Sequence, residues 1–383
     1  MSVTSAKGFR AAGIAAGIKA TGFPDLALVV NDGPLRAAAG VFTSNRVKAA
    51  PVVWSEQVLK AGTVAAVVLN SGGANACTGP AGFQDTHKTA EEAAALLDAS
   101  AAEVAVCSTG LIGVRLPMDA LLSGLKTATA ALAADGGPAA ATAIMTTDTV
   151  PKTAESHGSG YTVGGMAKGA GMLAPGLATM LVVVTTDAVV EAGTLDAVLR
   201  AATRVTFDRV DSDGCMSTND TVLLLASGAS GIEPDPAEFQ AAVTAVCADL
   251  ARQLVGDAEG ATKDIAVEVV NAASEDDAVQ VAKAVTRSNL FKCAMYGNDP
   301  NWGRVLSAVG TTDARFEADQ LSVAINGVWV CRDGGVGDDR DLVDLTGRDV
   351  HVTVDLAAGH DGATVWTNDL TPGYVHENSA YSS

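Results

Sequence analysis

The chain has 383 residues, 48% of them apolar and 18% charged, enough to bury a large core, so disorder is excluded. Its 25 basic side chains against 44 acidic ones give a formal net charge of −19, and aromatics make up only 4%. Such a surface repels a phosphate backbone and offers no stacking platform, which excludes nucleic acid as a partner. The length exceeds what one core usually serves, and two domains are expected.

The first residues, MSVTSAKGFRAAGIAAGIKATGF, are broken by Arg10 and Lys19 and do not form a signal-peptide core. No run approaches the roughly 18 apolar residues of a membrane span, so a soluble, cytoplasmic protein is expected. Residues 64–69 (VAAVVL) read as a buried strand ending in a Gly/Asn loop, with a helix following over 83–97. A second short strand, 104–107, runs into Ser108-Thr109-Gly110, and another helix starts at Pro117. Repeated strand–loop–helix units mark an α/β chain.

Further along, Asp235-Pro236 opens a helix whose apolar stripe is Phe239, Val243, Val246, Leu250 and Leu254. Ile265, Val267 and Val269 alternate as a strand, and Ser274 with three following acids opens another helix. Asn326-Gly327 between 321–325 and 328–331 is a hairpin signal, because both turn residues tolerate positive φ. Residues 350–356 and 363–366 read as a second hairpin. The six cysteines form no CxxC pair, and the five histidines are scattered with no HExxH, so neither a disulfide framework nor a metal site is expected.

The segment 168–180, KGAGMLAPGLATM, carries the candidate chemistry. Gly169-x-Gly171-x-x-Ala174 has the letters of a dinucleotide fingerprint, but Pro175-Gly176 and a β-branched run follow where that motif needs a helix. Lys168 lacks the context of a phosphate-loop lysine. A plain surface loop is the ordinary reading of such composition, although Met172, Leu173 and Leu177 are apolar for one. The alternative is a self-cleaving junction. A tight glycine-rich approach can press the Ala178 carbonyl onto the Thr179 hydroxyl, and an N-to-O acyl shift followed by hydrolysis leaves Thr179 as a new N-terminus. Its free amine, with a pKa of ~8, then serves as the base for its own hydroxyl.

These residues resemble the glutamate N-acetyltransferase/ornithine acetyltransferase family of arginine biosynthesis. The likeness runs through the chain in order: 70–79 (NSGGANACTG), 108–113 (STGLIG), 144–149 (IMTTDT), 168–180, 211–220 (DSDGCMSTND), 256–261 (GDAEGA), 297–305 (GNDPNWGRV) and 378–383 (NSAYSS). One position departs, Gly73, where the family pattern has asparagine.

The resemblance implies an αββα sandwich with an N-terminal-nucleophile-like strand over residues 1–250, and a smaller α+β domain over 251–383 whose tail closes over the site. It implies cleavage between Ala178 and Thr179 into chains 1–178 and 179–383, assembled as an α2β2 heterotetramer. The activity implied is acetyl transfer from N-acetylornithine to glutamate through acetyl-Thr179. No cofactor is implied, and acetyl-CoA is a candidate second donor. Thr109 and Gly110 match the oxyanion hole, each with a simple turn as its ordinary reading. Thr146 (with Thr147 as the neighbouring register), Lys168, Glu259, Asn378 and Ser383 match substrate contacts, where a solvated lysine, a helix-end acid and a frayed tail are the plain alternatives. An N-terminal-nucleophile aminopeptidase or amidase, and an uncleaved anion-binding protein, remain competing readings.

Overall fold

The computed structural model describes residues 2–173 and 180–380, whose strands gather into three mixed sheets. The first contains β1 (Phe9–Ile14), β2 (Leu26–Asn31), β4 (Ala66–Ser71) and β5 (Val104–Thr109) in that spatial order. Only β4 beside β5 is parallel. Both are buried along their whole length, which is why their sequences read as unbroken small and β-branched runs.

The second sheet has the order β3 (Ala37–Phe42), β9 (Thr221–Ala226), β8 (Leu181–Thr186), β7 (Thr162–Lys168) and β6 (Lys152–His157). Strands β8 and β9 run parallel and the other pairs antiparallel. The two sheets face each other across Val29, Leu69 and Cys107 on one side and Met166, Leu181, Val183 and Leu223 on the other.

Helices cover the remaining faces. Against the first sheet lie α1 (Ala50–Val58), α2 (Gly79–Leu97) and α3 (Met118–Ala130), while α4 (Gly137–Ala143) packs on β1 and β2. Against the second lie α5 (Ala192–Val205) and α6 (Pro236–Gly256). The expected stripe of α6, Phe239 through Leu254, is buried there against Val182, Val184 and Leu224, and each such side chain contributes about 1.5–3 kcal/mol. Asp235 caps that helix by accepting the Ala237 and Glu238 amides at 3.0 Å each.

The third sheet has the order β13 (Gly335–Val336), β12 (Val328–Arg332), β11 (Ser322–Ile325), β14 (Asp349–Asp355), β10 (Asp264–Ala272) and β15 (Asp361–Asn368). Its core is shared with α7 (Glu275–Thr286), α8 (Asn289–Tyr296) and α9 (Trp302–Val309), and α10 (Pro372–Ala380) follows β15. The Asn326-Gly327 turn has the expected positive φ at both residues, 46° and 83°. The second expected hairpin does not form. Strand β10 lies between β14 and β15, parallel to one and antiparallel to the other. The link crosses the end of β10, where the Ala358 and Gly359 amides donate to Asn271 O. A Cβ on Gly359 would lie 2.3 Å from Ala272 O, so only glycine passes there.

Candidate active site

Strands β4 and β5 leave the first sheet at one edge, with Ser71 paired to Thr109. The next two residues of the β4 loop fold back, and the Gly72 and Gly73 amides donate to Thr109 O at 2.9 and 3.0 Å. Gly110 then takes φ +128°, and a Cβ there would lie 2.5 Å from Gly73 N. The Ser-Thr-Gly sequence therefore makes a turn that only glycine can complete, directly after Thr109 at the end of β5.

Lys168, the last residue of β7, comes to this point from the second sheet. It is 2% exposed, and Nζ donates to Thr109 Oγ1 at 3.3 Å. Burial pushes its pKa down, Asp148 is the strongest opposing influence, Lys152 adds to the depression, and Asp220 and Glu259 also oppose it. Asp148 is the hub behind the site. Its carboxylate accepts Lys152 Nζ at 2.7 Å, the Gly169 amide at 2.6 Å and the Thr146 amide at 2.9 Å. Burial alone would raise its pKa, but the Lys168 and Lys152 charges and these hydrogen bonds hold it at about 2. Lys152 is fully buried and also pairs with Asp257 at 2.6 Å.

Glu259 follows α6; its amide donates to Ala170 O, and Oε2 accepts Asn378 Nδ2 of α10 at 2.9 Å. A cavity of about 170 Å³ results, lined by Thr109, Gly110, Thr146, Thr147, Lys168, Glu259 and Asn378. The fold thus brings together every sequence-predicted site residue that it describes. Ala178, Thr179 and Ser383 lie outside the described residues. Their neighbours do not: Lys168 pairs with Leu181 across β7 and β8, so the chain departs from and returns to the cavity edge. The Met180 amide donates to Asp220 Oδ1 at 3.1 Å. Burial raises the Asp220 pKa well above the carboxylate range, against the pull of that amide and of Lys168.

Sequence reading did not single out Asp148, Lys152, Asp257 or Asp220. Asp148, Asp220 and Asp257 sit inside motifs quoted for the resemblance, but a lone acid in a short motif gives no sign of the partners it will have. Among the described residues, no group of three or more His, Cys, Asp or Glu is placed to hold a metal ion, and no helix is long and apolar enough to cross a membrane. Chemically, a lysine and a carboxylate lining one cavity suit the two charged ends of an amino acid, and threonine hydroxyls and the Asn378 amide line it with them.

A family model described as the ArgJ family matches residues 10–383. The chain belongs to the ArgJ family. It is 72% identical, over all 383 residues and the whole of both proteins, to the arginine biosynthesis bifunctional protein ArgJ of Streptomyces coelicolor. A crystal structure of the ArgJ protein from Bacillus halodurans is 37% identical and covers 51% of this chain and 97% of its own, with a TM-score of 0.50. Mycobacterium tuberculosis ornithine acetyltransferase, solved in complex with ornithine, is 61% identical over 47% of this chain and 96% of its own, with a TM-score of 0.45. As a member of the ArgJ family, this chain is a bifunctional acetyltransferase of arginine biosynthesis, with ornithine acetyltransferase and glutamate N-acetyltransferase activity.

Proposed function

We propose that the cavity runs both activities by double displacement through an acetyl ester of Thr179. The chain first cuts itself. Thr179 Oγ attacks the Ala178 carbonyl carbon, the C–N bond breaks, and the hydroxyl proton passes to the departing nitrogen. Water then hydrolyses the ester, leaving a carboxylate on Ala178 and a free hydroxyl and amine on Thr179. In each turnover that amine takes the hydroxyl proton as Oγ attacks the acetyl carbon of N-acetylornithine, and ornithine leaves with a proton on its nitrogen. Glutamate's amine attacks the ester and releases N-acetylglutamate. Acetyl-CoA loads the same threonine from its thioester.

In this reading the Thr109 hydroxyl and Gly110 amide stabilise the oxyanion, each donor contributing about 3 kcal/mol to the transition state. Lys168 holds the substrate α-carboxylate and Glu259 its ammonium, with Thr146, Asn378 and Ser383 completing the contacts. The observation that carries the reading is the convergence of six predicted residues on one cavity at the edge where Lys168 and Leu181 pair. The Bacillus halodurans chain adds support, since it is matched almost in full yet corresponds to about half of this chain.

The architecture we propose is an αββα sandwich with its nucleophile on the strand after the cut, plus a smaller α+β domain over 251–383. Fragments 1–178 and 179–383 form an α2β2 heterotetramer in the cytoplasm, with no cofactor. To test the reading, the mature enzyme is incubated with N-acetylornithine alone, denatured and digested. One acetyl mass on the peptide that begins at Thr179 is expected, and ornithine release should become continuous only when glutamate is added. Steady release without glutamate means water is the acceptor, and the reading gives way to an amidase. Thr179→Ala should remain a single inactive chain; two fragments divided before residue 179 would mean that an external protease makes the cut.

A further inference from the structure

The 211–220 segment touches the cleavable stretch on both sides, through two different aspartates. Asp213 Oδ2 accepts the Met172 amide at 2.7 Å, while Oδ1 accepts the Cys215 amide at 3.1 Å and so fixes the carboxylate's direction. Next to it the Ser212 amide donates to Leu173 O, and Leu173 bridges to Met216. Met172 needs this hold, because its φ of +54° is a region that residues with side chains rarely enter unaided. On the other side, fully buried Asp220 accepts the Met180 amide at 3.1 Å, and the Thr221 amide donates to Met180 O at the same distance. Asn219 ties the segment to the oxyanion side, donating to Ala74 O at 2.6 Å and Ser108 O at 2.8 Å.

We propose that Asp213 and Asp220 are positioning residues that clamp the two flanks of residues 174–179, Asp213 serving self-cleavage alone and Asp220 serving both self-cleavage and acetyl transfer. The inference rests on Thr179 being the nucleophile. Attack of a hydroxyl on the adjacent carbonyl requires both sides of the bond to be held, and small displacements from attack geometry cost large factors in rate. The Met172 side carries the carbonyl that is attacked, and its job ends when the Ala178–Thr179 bond breaks. The Met180 side carries Thr179 itself, which is needed in every turnover.

The experiment follows uncleaved precursor from cell-free synthesis on denaturing gels, then measures kcat and KM of the matured enzyme. Asp213→Ala should mature at least about tenfold more slowly, while the matured fraction keeps kcat within about threefold of wild type. Asp213→Asn retains an acceptor for the Met172 amide and should recover most of the maturation rate. Asp220→Ala should slow maturation and also lower kcat by about tenfold or more with KM little changed, and Asp220→Asn should restore both. Normal maturation of Asp213→Ala overturns the clamp, as does a loss of its kcat equal to its loss of maturation, or an Asn variant no better than Ala. Those outcomes leave the nucleophile untouched if Thr179→Ala stays uncut; fragments from Thr179→Ala would instead sink the nucleophile itself.

Discussion

Replacing Asp148 by asparagine removes the charge that two buried lysines share while keeping an oxygen of similar size. In the fold the Asp148 pKa is about 2 against an ordinary 3.8, so its ionised form is favoured by about 2 kcal/mol once burial has been subtracted. Because the folded value is depressed, this stability is present above about pH 4 and disappears as pH falls through about 2. Lys152 keeps Asp257 as a partner in the variant, but buried Lys168 loses its strongest opposing charge, so about 2 kcal/mol is the least the substitution should cost. The assay is urea unfolding in the Thr179→Ala background, which keeps one polypeptide. The variant should be at least about 2 kcal/mol less stable at pH 7, and the pH-dependent part of the gap should shrink to roughly half by pH 3. A gap that is constant over that range would show that the carboxylate's charge does not stabilise the fold. In the active enzyme, the loss of its strongest opposing charge should further depress the Lys168 pKa, moving the alkaline limb of kcat/KM to lower pH.

Thr109→Ala should lower kcat by roughly a hundredfold with a smaller effect on KM, because in the proposed oxyanion hole the hydroxyl acts on charge present only in the transition state; steady-state kinetics with an unchanged kcat would make it a turn residue. Deleting residues 378–383 removes the Asn378 hydrogen bond to Glu259. Two fragments should still appear on a gel, with KM raised about ten- to a hundredfold per lost charged hydrogen bond, whereas normal kinetics would return the tail to a frayed end.

The sequence was most legible where local chemistry decides the structure. Asp235 and Ser274 cap the helices they were expected to open, and Asn326-Gly327 turns its hairpin. It was least legible where distant segments decide. Strand β7 carries Gly164 and Gly165 in its middle, against strand propensity, yet a Cβ on Gly164 would lie 2.2 Å from Ser2 O. The glycine is there for the N-terminal segment passing over it, and no window of sequence shows that. The false hairpin over 350–366 has the same origin, since nothing near it reveals that β10 inserts. Lys168 sits between Ala167 and Gly169 like a solvated lysine, yet it is buried, and Asp148, twenty residues earlier, accepts the Gly169 amide and is the strongest charge opposing its depressed pKa. Composition could place a threonine at a loop–strand junction; the acids that hold the flanking residues Met172 and Met180 are visible only in three dimensions.

The strand order of the second sheet has a consequence for the life of the molecule after cutting. A break between Ala178 and Thr179 puts β3, β6 and β7 in one polypeptide and β8 and β9 in the other, and the order β3-β9-β8-β7-β6 seats the second pair inside the first set. The halves are woven together, with one ladder at β3–β9 and another at β7–β8. If the chain is cut as proposed, they cannot drift apart without tearing both, and the enzyme stays whole at any dilution the sheet survives. Once denatured, however, it must rebuild by collision of two chains, at a rate set by concentration. On the proposed cleavage, folding belongs to the uncut chain, and the mature form would be an heirloom of that single event.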